Sequence, residues 1–169
     1  MSRMLWGQLF PRPALIFADF FGLQRLLGHA CYQFVLLTES RIANGLPIDE
    51  QNLLCPRQLT YIRAGYHSLK AYWHQISRTP VFLDRSPECR CHTRCVKLWG
   101  QQWVIRAGAK TAVSELDVLN RLTHLEKNLS RDELLMTGMD TGCLALGLRA
   151  IALKREHTAQ ELHHLFDLP

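Results

Sequence analysis

The chain has 169 residues, 47% of them hydrophobic and 21% charged, a balance that builds a core and excludes a disordered polypeptide. Twenty Lys and Arg against fifteen Asp and Glu leave a net charge of +5, which favours a polyanionic partner, nucleic acid first among them. Six cysteines with no basic, apolar leader ahead of them point to a reducing cytoplasm, and so to metal binding or buried thiols in place of a disulfide framework.

In chain order, the apolar stretch from Leu15 to Leu37 is interrupted by Asp19, Gln24, Arg25, His29 and Gln33, which predicts a core helix and no membrane span. Phe20, Leu23, Leu27, Ala30, Phe34 and Leu37 share one helical stripe, with an end expected by Asn44-Gly45. Phe21, Leu26, Val35 and Leu36 widen the stripe, so the helix is expected to be buried on more than one side or covered by a partner chain. After a loop containing Pro47 and Pro56, a second amphipathic helix carries Leu59, Ile62, Tyr66, Leu69, Trp73 and Ile76 up to Thr79-Pro80.

Between Pro80 and Ala109 the pattern changes: Val81-Phe82-Leu83 and Trp103-Val104-Ile105 read as short strands flanking a cysteine cluster. Helical periodicity resumes with Leu116, Leu119, Leu122 and Leu125 behind a capping Ser114, and Ser130/Glu133 and Thr158/Glu161 have the spacing of capping boxes. The chain is therefore expected to be mainly α, with a helical region over 1–79, a zinc-ribbon-like cysteine module over 80–109 and a second helical region over 110–169.

Cys89, Cys91, His92 and Cys95 offer three thiols and an imidazole within seven residues, a donor set suited to zinc. Arg90, Arg94 and Lys97 would lower the thiol pKa values and offset thiolate charge. If all three thiols bind, the fourth ligand is His92, Cys55 or a distant Cys31, His124 or Cys143; Cys31 and Cys143, set in apolar runs, read as core residues. The chain has no phosphate-cradling glycine loop, no GxSxG and no HExxH, and a non-enzymatic role is expected.

At the C-terminus, residues 144–155 and 158–166 read as two helices joined by a turn at Glu156-His157, either a plain helical hairpin or a helix-turn-helix. In the second case Thr158, Gln160 and His163 face the groove, while Arg149, Lys154, Arg155 and His157 hold phosphates.

The order of these pieces, with Pro13-Ala-Leu15-Ile-Phe17-Ala-Asp19-Phe20-Phe21, His29-Ala30, Leu59-Thr60 and Arg63-Ala64 leading into the cysteines, resembles the C subunit of the bacterial flagellar master transcriptional activator, the FlhC family, and related activators of conjugative elements. Phe20 stands where that family has tryptophan, and one CxCxxxC cluster replaces its two CxxC pairs. The resemblance implies a zinc-containing subunit that binds promoter DNA with a small helical partner protein and acts through RNA polymerase. A DNA-binding activator subunit in a hetero-oligomer is the leading expectation. An adaptor of a secretion or conjugation machine and a small phage-type inhibitor are the alternatives.

Overall fold

A computed structural model describes residues 11–44 and 54–168. Seven α-helices and a closing 3-10 helix are described, with no strand among the described residues. The elements are α1 (Pro11–Phe20), α2 (Gln24–Ala43), α3 (Pro56–Arg78), α4 (His92–Gly108), α5 (Val118–Leu129), α6 (Glu133–Gly138), α7 (Thr141–Gln160) and the 3-10 helix Leu162–Phe166. The mainly helical expectation holds. The described residues fall into two compact units, one up to Lys70 together with those from Ala159 onward, the other Ala71–Thr158.

In the first unit the single helix expected from Leu15 onward is two. Gly22, at φ +65°, stops α1: its N–H bonds to the Asp19 carbonyl and that of Leu23 to the Ala18 carbonyl, the pairing of a Schellman motif. The break turns Phe20 and Leu23 of the expected stripe outward. Leu15, Ala18, Leu27, Ala30 and Phe34 are buried, whereas Phe17, Phe20, Phe21, Leu23 and Leu26 are exposed, Phe20 by 82%. The end of α2 at Ala43 and its cap Asn44 fall where expected, and the loop at Pro47 lies outside the described residues. α2 also packs on the 3-10 helix, and a Cβ on Gly28 would sit 2.6 Å from the backbone of His163, so only glycine admits that approach.

α3 follows its sequence periodicity, burying Ile62 and Leu69 in the first unit and Trp73 and Ile76 in the second. The second unit is built around α4. Trp103-Val104-Ile105 lies in that helix and not in a strand, because Cys95, Trp99, Trp103 and Ala107 recur every four residues and bury one face. Both indoles are anchored as well as buried: Trp99 Nε1 donates to the Val81 carbonyl at 3.1 Å and Trp103 Nε1 to the Ile76 carbonyl at 2.8 Å. Val81-Phe82-Leu83 forms no strand and runs irregularly ahead of the cysteine turn.

Helix starts in this unit use aspartates and not the expected hydroxyls. Asp117 caps α5 while Ser114 Oγ accepts from Leu116 N–H in the turn before it. Asp132, 1% exposed at its side chain, caps α6 and is held by Arg106 at 2.6 Å, whereas Ser130 ends α5. The helix-turn-helix does not form. α7 runs unbroken through Glu156-His157, where there is no glycine or proline to stop it. Thr158 lies inside α7, its hydroxyl donating to the Lys154 carbonyl instead of capping a new helix. A 3-10 helix stands where the second helix was expected. Gly147 in α7 is there for packing: a Cβ would lie 2.9 Å from the Trp99 ring and 3.0 Å from Leu83. Among the described residues no helix is long and apolar enough to cross a membrane.

Candidate metal centre

The second unit brings together four metal-binding donors: Cys89, His92 and Cys95 from the turn into α4, and Cys143 from the first turn of α7. The turn is shaped by its own backbone. Cys89 N–H bonds to the Ser86 carbonyl at 3.0 Å, and Arg85 closes the outside by donating Nε and Nη2 to the Cys89 carbonyl. One helical turn then places Cys95 three residues after His92, on the same side of α4. Gly142 lets α7 reach the turn, since a Cβ there would lie 2.4 Å from Ser86 Oγ.

Cys89 Sγ and Cys95 Sγ are 3.8 Å apart, and Cys143 Sγ and His92 Nδ1 are 3.7 Å apart. The donor atoms of Cys89, His92 and Cys143 all lie within 4.8 Å of one another. Tetrahedral zinc with Zn–S of about 2.3 Å and Zn–N of about 2.0 Å separates two sulfurs by about 3.8 Å, and a sulfur from a nitrogen by about 3.5 Å. The Cys89–Cys95 and Cys143–His92 spacings are close to those values, and the donor set suits a metal ion held by Cys89, His92 and Cys143 with Cys95 beside Cys89.

Backbone N–H groups point at two of the thiols. Ser86 N–H points at Cys143 Sγ and Asp140 N–H at Cys95 Sγ, each at 3.4 Å, and Asp140 Oδ1 accepts from Cys143 N–H and fixes the first turn of α7. The three thiols are 2% exposed or less. Without a cation, burial first and the neighbouring Cys89 and Cys95 next push the Cys143 thiol up to about 11, against the pull of Ser86 N–H. A divalent ion bound here would favour the thiolate form of Cys143, and its uptake would release the thiol proton.

Two cysteines expected at the metal are elsewhere. Cys91, the N-cap residue of α4 and next to His92, is exposed and outside the donor cluster. Cys55 is exposed at the start of α3 in the first unit, its N–H bonded to Gln58 Oε1. Cys31 is buried in the first unit with its thiol pushed up to about 12, by burial first and then by Asp19, a core residue as expected. His124 is exposed on α5. Cys143, expected to be core, is the fourth donor. The legible signal was the even spacing Cys89-x2-His92-x2-Cys95, hidden by the extra cysteine at position 91.

The C-terminal residues expected at DNA are dispersed. Thr158 is buried, with its hydroxyl 2.7 Å from Tyr72 OH; Lys154 lies over the Tyr72 ring; Arg155 pairs with Glu126 at 3.1 Å. Arg149, His157 and Gln160 are exposed on α7, and half-buried His163 belongs to the first unit. By contrast Arg90, Arg94 and Lys97 are exposed around the metal turn, with no ion pair among the described residues. No family model, curated protein or solved structure matches the chain.

Proposed function

We propose that the chain is a non-enzymatic, DNA-associated regulatory subunit whose second unit is held together by one structural zinc on Cys89, His92, Cys95 and Cys143. The observation that supports the zinc is the gathering of Cys89, His92 and Cys143 donor atoms within 4.8 Å of one another, with Cys95 Sγ 3.8 Å from Cys89 Sγ and the three thiols buried to 2% exposure or less. Four protein ligands leave no open position for substrate or water, which favours a structural ion over a catalytic one.

DNA contact in this reading passes through Arg90, Arg94 and Lys97, since Lys154, Arg155 and Thr158 are engaged within the second unit. That unit carries thirteen Lys and Arg against nine Asp and Glu, the larger share of the chain's positive charge. The exposed corner of Phe17, Phe20 and Phe21 supports a hetero-oligomer with a small helical partner. It equally favours the adaptor reading, in which that corner acts and the basic charge is incidental.

The discriminating experiment is retention of mixed-sequence duplex DNA against salt, with metal content checked in every variant. Each lost phosphate contact lowers the slope of log affinity against log salt by about 0.9, so changing Arg90, Arg94 and Lys97 together to Glu is expected to lower it by about 2 to 3. Arg155→Ala should leave it unchanged. Absence of binding at low salt, or a slope indifferent to the triple change, would overturn the DNA reading and leave the adaptor one.

A further inference from the structure

The first unit contains a second gathering of metal-binding side chains, unrelated to the cysteines. Glu161, His163 and His164 sit where α7 gives way to the 3-10 helix, and one donor atom from each lies within 4.8 Å of the others. Glu161 Oε2 and His164 Nε2 are 2.8 Å apart, and the two imidazole rings lie 4.0 Å apart at 37°.

Two further observations separate this group from a chance surface cluster. His163 Nδ1 is sheltered from solvent and has no hydrogen-bond partner, an uncompensated polar atom of a kind that folded proteins rarely keep. The backbone of His163 is also pressed against α2 at Gly28, and the His29 ring is hydrogen-bonded to the backbone of Ala159 just upstream, so the segment is held in place from α2.

We infer that Glu161, His163 and His164 form a second, exchangeable site for a divalent transition metal. Two imidazoles and one carboxylate select zinc, nickel, cobalt or copper(II) over magnesium and calcium, which take all-oxygen ligand sets. Three protein donors leave coordination positions to water, and His164 is 67% exposed at its side chain, so the ion exchanges with solution.

The test is titration of the metal-free, reduced full-length chain with Co2+. Two binding steps are expected. The tighter one develops the near-ultraviolet charge-transfer absorption of cobalt–thiolate bonds, and the weaker adds ligand-field bands with no further thiolate intensity. Glu161→Gln and His164→Gln, both at solvent-facing side chains, should each weaken the second step by about tenfold or more and leave the first unchanged. Binding that stops after the thiolate step, or a second step that survives both substitutions, overturns the proposal. Failure of the thiolate step alone would count against the cysteine centre and not against this site.

Discussion

The two units solve the same problem of burying apolar surface in opposite ways. The second closes on itself: Trp99 and Trp103 are buried with their indole N–H groups bonded, and the polar atoms of its thiol cluster face one another. The first leaves Phe17, Phe20 and Phe21 in solvent at the Gly22 corner, although its α1 and α2 are the more apolar in sequence. A self-contained unit with a cluster of thiols offers a place for an ion, whereas a unit with an outward aromatic corner offers a surface to be covered. Stability in the second unit should therefore depend on metal, and solution behaviour in the first on what meets that corner.

The largest expected effect comes from removing the ion. A strong chelator, or Cys95→Ser, should lower the unfolding free energy of the second unit by about 5 kcal/mol, read through the buried tryptophans in denaturant. Cys55→Ser, at an exposed residue, should stay within about 0.5 kcal/mol. Equal effects of the two serine substitutions would erase the contrast between the units. Next comes Gly147→Ala. Helix propensity alone predicts a gain of about 1 kcal/mol, but the methyl would press on the immobile Trp99 ring, and overpacking costs about 1 to 3 kcal/mol. A net loss of about 1 kcal/mol in urea denaturation is the expected result. The smallest change in stability is at the aromatic corner: Phe20→Ser should shift it by about 0.5 kcal/mol or less while reducing self-association in light scattering. Phe34→Ala, at a residue 1% exposed, should cost about 3 to 5 kcal/mol.

Much of the fold was legible in the sequence because amphipathic periodicity is a local signal. The stripe of α3 from Leu59 to Ile76 and the end of α2 at Asn44 needed no tertiary information. The misreadings share a cause. Phe20-Phe21-Gly22-Leu23 is apolar throughout, so periodicity ran across a break that a single positive-φ glycine makes. Trp103-Val104-Ile105 has strand-like composition, and its helical partners Cys95, Trp99 and Ala107 are too varied in type to read at once as one stripe. At the metal centre two or three donors were legible from spacing, but Cys143 reaches the cluster through the packing of α7 on the Ser86 turn, a contact distant in sequence. Gly147, within the expected helix 144–155, is what lets α7 approach Trp99.

The most direct test of the metal centre is elemental analysis of the full chain, purified without added metal and dialysed to empty weak sites, beside Cys91→Ser and Cys143→Ser variants. The geometry predicts about one zinc per chain in the unaltered protein and in Cys91→Ser, and a large loss in Cys143→Ser. Retention of zinc by Cys143→Ser together with its loss from Cys91→Ser would contradict the assignment and return the ion to a site made within the Cys89–Cys95 turn alone.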